Sequence, residues 1–297
     1  MRIIVHGGAG GVPDEPEPRQ AVLDDAAKTG AAATTPLDAV EYAVGVLESS
    51  PRFNAGVGGA VQSDGVVRTD AGVMTSDRAI GAVCSMPEIE HAASVARVVH
   101  SETPHIFVVG EHAVELADEF GIETNVDLLT DEKRERYAAE DPPRGGPREH
   151  LAWIETRFGS GDDQAGGSDK NAAPDHDTVG AVASDGETFA AATSTGGRSF
   201  ALAGRVGDVP QVGSGFFCTE SGGASATGAG EDIARVTLSR RAVEHLEDGI
   251  GAQAAADEAI AEFEALTGSG AGVIVLGDGG TGSAFNTDGM QTSVAYK

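Results

Sequence analysis

Apolar residues along the chain fall into two patterns, short continuous runs and helically spaced sets. RIIVH (2–6) is a run of the first kind and predicts an opening strand, followed by the glycine cluster GGAGG and a Pro/Glu loop. Two helical patterns come next. On the second, Ala39, Val40, Ala43, Val44 and Leu47 recur at the spacing of one helix face. Strands are predicted over VVRTDAGVM (66–74), AIGAVC (79–84) and HIFVVG (105–110), with helices over 93–101 and 111–120. Residues 130–157 read as polar helices and carry the only tryptophan, Trp153.

The pattern then lapses. GSGDDQAGGSDKNAAPD (159–175) offers almost nothing to bury, and such composition predicts a mobile, exposed segment. Beyond it, TVGAVAS (178–184), TFAAATST (188–195) and QVGSGFFC (211–218) read as strands. A helix is expected over 231–246 and another over 254–266, before the closing strands AGVIVLG, SAFNT and MQTSVAY. Apolar strands with helices distributed along the chain suggest sheets covered by helices.

Composition narrows the functional classes. The formal charge is -27, with a sequence pI near 4.4. That excess repels phosphate backbones and anionic membrane surfaces, so neither nucleic acid nor a membrane is expected as a partner. Lysine occurs only at positions 28, 133, 170 and 297. An acidic, lysine-poor surface suits a salt-rich cytoplasm, where screening relieves self-repulsion. Cys84 and Cys218 form neither a disulfide framework nor a metal spacing, consistent with a reducing compartment. Neither a signal-peptide core nor an 18-residue apolar run is present, and a cytoplasmic location is expected.

Candidate chemistry concentrates in the second part. Thr178 stands between the polar stretch and a buried-type strand in PDHDTVGAVAS (174–184). A threonine opening a strand is ordinary β-propensity. Cleavage between Asp177 and Thr178, however, would free an α-amine of pKa ~7.7–8.0, neutral enough near pH 7 to act as a base. One residue would then hold nucleophile and base together. Thr193 and Thr195 in TSTGG (193–197) share one strand face by the two-residue period and would point at that oxygen if the strands pair. SATGAGED (225–232) is expected to place Thr227, Gly228 and Gly230 at a helix start, where N–H groups favour a developing oxyanion. In GRVGD (204–208), Arg205 and Asp208 are suited to gripping a carboxylate and an ammonium together.

HDTVGAVA, AAATSTGG, GRVGD and ATGxGE, with HGGAG (6–10) and FNAGVG (53–58), make the chain resemble the plant-type L-asparaginase/isoaspartyl peptidase family of N-terminal-nucleophile hydrolases along nearly its whole length. The resemblance implies an α+β fold, the four-layer αββα sandwich, in one domain cut into an alpha subunit, 1–177, and a beta subunit, 178–297. Residues 159–177 would form the mobile linker. It also implies hydrolysis of asparagine or β-aspartyl dipeptides by a homodimer of processed units, with no catalytic cofactor. In that family pattern Thr178 is the nucleophile, Thr195 orients it, and Thr193 lies close by. Thr227 and Gly228 form the oxyanion hole. Arg205 holds the substrate α-carboxylate, while Asp208 and the Gly230 carbonyl take its ammonium. LESSPRFNAGVG (47–58) resembles a loop whose carbonyls, those of Leu47, Glu48, Ser50, Phe53, Ala55 and Val57, bind a structural sodium ion, with Asn54 near the catalytic threonine.

Three positions depart from the family pattern. Asp177 stands before the nucleophile where glycine is usual, Ala229 where threonine is common, and Val209 where serine is frequent. Asp177 with His176 is similar to the related glycosylasparaginases, which leaves glycosylated asparagine open as an alternative substrate, beside an uncleaved, non-catalytic amino-acid binder. GDGGTG (277–282) fits a dinucleotide fingerprint, but too little chain follows for a second crossover, so a tight turn is expected.

Overall fold

The computed structural model describes residues 1–158 and 178–297. The expected mobile linker and the Asp177 side of the expected cleavage site lie outside the described residues.

The fold is mixed, with two sheets and helices on both. In the N-terminal part, β1 (Arg2–Gly10) leads to α1 (Pro16–Ala32) and α2 (Pro36–Glu48), then β2 (Arg68–Thr75) and β3 (Ile80–Pro87). These are followed by α3 (Ala92–Glu102), β4 (Phe107–Val109), α4 (Gly110–Glu119), α5 (Asp131–Glu140) and α6 (Pro147–Phe158). The second part opens with β5 (Val179–Ser184), β6 (Phe189–Thr195), β7 (Phe216–Thr219) and β8 (Gly222–Gly228). It closes with α7 (Gly230–Val236), α8 (Leu238–Glu247), α9 (Ala252–Thr267), β9 (Ala271–Gly277), β10 (Gly280–Phe285) and β11 (Gly289–Tyr296).

Seven strands form one sheet in the order β11-β1-β5-β6-β2-β3-β4, and four form the other, β10-β9-β8-β7. Strand alternation sorts the side chains. Ile3, Val5, Val179 and Ala181 meet Leu23, Val40, Val44 and Leu47 of α1 and α2 on one face of the large sheet. Ile4, Val182 and Ala191 on its other face meet Phe216, Ile274 and Leu276 of the small sheet. Ala224, Val273 and Val275 on the far side of the small sheet pack against Leu238, Val243, Ile260 and Phe263 of α8 and α9. Small side chains let the two sheets close: a Cβ at Gly72 would lie 1.9 Å from the Phe216 ring.

Two elements differ from the sequence pattern. The helix expected over 231–246 is broken at Thr237, which adopts a left-handed φ of 54°. The break turns the first amides of α8 onto the loop before β7, where Ser239 and Arg240 donate to the Ser214 and Gly213 carbonyls. QVGSGFFC is a strand only from Phe216, because the Gly215 amide bonds back to the Asp208 and Gln211 carbonyls within the loop. GDGGTG is the tight β9–β10 turn, with Gly277 paired to Gly280. No helix among the described residues is long and apolar enough to cross a membrane.

Candidate active site

β5 and β6 run antiparallel, with Val179 opposite Ser194 and Gly180 opposite Thr193. This register sets Thr178 across from Thr195, and the Thr178 hydroxyl donates to Thr195 Oγ1 at 3.2 Å. Thr195 Oγ1 in turn donates to the Asn54 carbonyl at 3.4 Å and accepts from the Gly197 amide at 3.1 Å. The Asn54 side chain clamps the same loops, donating to the Gly197 carbonyl and accepting from the Ala60 amide. Asn54 therefore acts on the threonine pair through backbone, one step behind it.

Thr193 shares the face of Thr195 but lies deeper, fully buried between the sheets. Its hydroxyl contacts Ser225 Oγ at 2.6 Å and the Gly215 carbonyl at 2.8 Å, and Ser225 Oγ meets His6 Nε2 at 2.9 Å. Burial keeps the His6 imidazole neutral, its pKa pushed down to about 3, against a partly offsetting hydrogen bond with the Thr178 backbone. This polar layer lies beneath the first residues of β5. At Gly180 a Cβ would sit 2.0 Å from Ser225 Oγ and 2.5 Å from His6 Nε2, so glycine alone fits.

Thr178, Thr195, Arg205, Asp208, Gly228 and Gly230 converge on one cavity of about 550 Å³. Thr227 and Gly228 end β8 instead of starting a helix, and only Gly230 opens α7. A strand end results because both residues continue the ladder with β9, opposite Gly272 and Ala271. Gly228 has φ 135°, and a Cβ there would lie 2.5 Å from the Gly270 carbonyl oxygen. Thr227 Oγ1, wholly buried, accepts from the Ala9 amide at 3.4 Å.

Arg205 and Asp208 stand together beside Gly230. A Cβ at Gly230 would be 2.6 Å from Asp208 Oδ1 and 3.0 Å from Arg205 Nη2, so this glycine clears the space between them. Burial pushes Asp208 up to about 7, with the Arg205 cation opposing that shift. Asp208 Oδ2 is buried and has no hydrogen-bond partner among the described residues. A buried acceptor left open in a cavity wall is a place for a ligand's donor. Arg205 also bonds Glu231, Nε to Oε1 at 2.8 Å. Glu231 belongs to the ATGxGE motif, but its partner 26 positions away is invisible in sequence. Asp70, another buried carboxyl pushed up to about 7 by burial, accepts from the Ser85 amide at 2.7 Å.

The 47–58 loop winds back on the end of α2. The Ser50, Phe53 and Val57 amides donate to the Leu47, Ser50 and Glu48 carbonyls. A Cβ at Gly56 would be 2.3 Å from the Glu48 oxygen, and one at Gly58 3.2 Å from the Phe53 oxygen. No group of three or more His, Cys, Asp or Glu placed to hold a metal occurs among the described residues. Main-chain oxygens are the donor type a hard cation takes, and in this loop those of Leu47, Glu48 and Ser50 each accept one backbone amide.

Comparison with known proteins identifies the family. The family model described as Asparaginase matches residues 1–297. A plant-type L-asparaginase of Pyrococcus abyssi is 38% identical, with 98% of this chain and 94% of that protein covered. An isoaspartyl peptidase/L-asparaginase of Danio rerio is 35% identical, over 95% of this chain and 87% of that protein. The chain belongs to the asparaginase family.

Proposed function

We propose that the protein is a self-processing threonine amidohydrolase that converts L-asparagine and β-aspartyl dipeptides to L-aspartate. The observation that carries this reading is the Thr178–Thr195 hydroxyl pair opening into the cavity that holds Arg205 and Asp208. The relatives' names support the substrate class. The succession of helices, large sheet, small sheet and helices supports the four-layer αββα sandwich.

In maturation, Thr178 Oγ attacks the Asp177 carbonyl carbon. The peptide bond breaks as the acyl group moves from nitrogen to oxygen, and water hydrolyses the ester to leave an Asp177 carboxylate and a free Thr178 amine. In turnover, Thr178 Oγ attacks the side-chain carbonyl of the substrate and its proton passes to the Thr178 amine. Thr195, hydrogen-bonded to that oxygen, orients it, and Thr193 fixes the layer beneath. Thr227 Oγ1 and the Gly228 N–H stabilise the oxyanion. Arg205 takes the α-carboxylate, and Asp208 with the Gly230 carbonyl takes the ammonium. Ammonia or an amino acid leaves with the proton, and water releases aspartate from the acyl-enzyme.

Main-chain carbonyls of Leu47, Glu48, Ser50, Phe53, Ala55 and Val57 would hold a sodium ion that stiffens the loop carrying Asn54; catalysis itself uses no cofactor. Two processed units pair as a dimer in a salt-rich cytoplasm. The test is a mass measurement of the aged protein with assays on asparagine, a β-aspartyl dipeptide and glycosylated asparagine. A free Thr178 N-terminus with activity on the first two supports the reading. Activity from an intact chain, or confined to glycosylated asparagine, overturns it.

A further inference from the structure

The cavity is larger than the aspartyl grip requires. Arg205, Asp208 and Gly230 account for the charged groups of one aspartyl unit, and the ammonia released from asparagine needs no further wall. The same cavity is also lined by Arg198, Asp232, Arg235 and Ser269. Arg235 Nη1 bonds Asp232 Oδ1 at 2.6 Å, while Ser269 Oγ donates to Asp232 Oδ2 at 2.5 Å. The carboxylate is thus fixed from both sides and buried, while the arginine it steadies is 71% exposed. Among the described residues this ion pair engages Nη1 alone, and a guanidinium has further N–H donors to offer.

We infer that Arg235, steadied by Asp232 and Ser269, binds the α-carboxylate of the leaving amino acid of a β-aspartyl dipeptide. This rests on the activity proposed above and assigns further residues of the same cavity. In such a substrate the departing residue begins at the nitrogen released by Thr178, and its carboxylate is the nearest anion to the bond being broken. A planar guanidinium is the side chain best matched to a carboxylate. In a chain of formal charge -27, an exposed arginine at a cavity wall also marks a local place where an anion is accepted. The preferred substrate is therefore a dipeptide with a free C-terminus, in preference to its amide or to a longer isoaspartyl peptide. Since the leaving group departs before water attacks, the preference belongs to acylation and appears in kcat/KM.

The experiment compares β-aspartyl-leucine with β-aspartyl-leucinamide, using processed wild-type protein, Arg235→Gln and Arg198→Gln, each rate divided by the same protein's rate on asparagine. The wild type should favour the free acid by about fivefold, the scale of one exposed charge pair. Arg235→Gln should bring the two substrates level, and Arg198→Gln should keep the preference. Equal preference in wild type and Arg235→Gln, or its loss only in Arg198→Gln, overturns the inference while leaving amidohydrolase activity intact. Absence of activity on asparagine and both dipeptides overturns the proposed function itself.

Discussion

Thr178 and Thr195 face one another across the β5–β6 ladder, with their hydroxyl oxygens 3.2 Å apart. The contact follows from register, because a slip of one residue would send Thr195 to the helix-covered face, where Ser194 bonds Glu48 at 2.6 Å. Thr195→Val keeps the shape and removes the hydroxyl that orients the nucleophile. The expected result is a fall in kcat of about 10²-fold or more, the scale of a positioned proton-transfer partner, with KM much less affected. Steady-state kinetics on asparagine measure both.

Asp208 gives a pH signature. Its carboxyl is raised by burial to about 7, so below that pH it is protonated and cannot take an ammonium. KM for asparagine should climb about tenfold for each pH unit below 7, beside a separate fall in kcat as the Thr178 amine, of pKa ~7.7–8.0, is protonated. Asp208→Asn should raise KM by at least about 30-fold, the lower end of the loss when one partner of a buried charge pair is removed, and flatten the KM profile between pH 5 and 7. A wild-type KM that is level across this range rules out the assignment.

Asp70 gives a stability signature of a definite sign. Its folded-state pKa of about 7 exceeds the ordinary 3.8, so the folded protein binds the extra proton within that window. Stability from this group is fully present at low pH and falls as pH rises through the window. Asp70→Asn retains an oxygen for the Ser85 amide and loses the buried charge. It should stabilise the protein at pH 8 more than at pH 4, by up to roughly 4 kcal/mol for a shift of about three pH units, seen as a larger rise in melting temperature at pH 8. Thermal melts at the two pH values decide it.

How much of this was legible in the sequence varies by element. VGAVAS and FAAATST are apolar runs between turn residues, so both strands and the threonine face were readable from period alone. β8, GGASATG, was not, because glycine, alanine and serine give no hydropathy alternation; its place comes from pairing with β7 and β9. Arg205 and Asp208 stood out by close spacing, whereas Glu231 and the Ser269–Asp232–Arg235 wall depend on contacts between distant segments. His6 and Ser225 meet across 219 positions, and only packing of the two sheets brings them together.

That buried contact explains a demand at Gly180. Alanine there would place its methyl carbon 2.0 Å from Ser225 Oγ and 2.5 Å from His6 Nε2, and neither side chain has open space to enter. Gly180→Ala should cost about 1–3 kcal/mol by overpacking and lower kcat by shifting β5 two residues from Thr178. Ser225→Ala should cost about 1–3 kcal/mol for the opposite reason, leaving His6 Nε2 buried without its partner. Chemical denaturation with parallel activity assays tests both variants.

Sheet order also determines what processing does to the assembly. Cleavage before Thr178 would divide the chain into pieces of 177 and 120 residues. β1 of the first piece lies between β11 and β5 of the second, and β6 of the second pairs with β2 of the first. Separating the pieces would break three strand interfaces and expose the apolar layer in which Val179 and Ala181 meet α2. The two fragments should therefore co-elute as one species in native chromatography and part only under denaturing conditions. Thr178→Ala should elute at the same position and run as a single band on a denaturing gel. Fragments that separate without denaturant would show that the ladder joining β1, β5 and β6 does not hold the processed protein together.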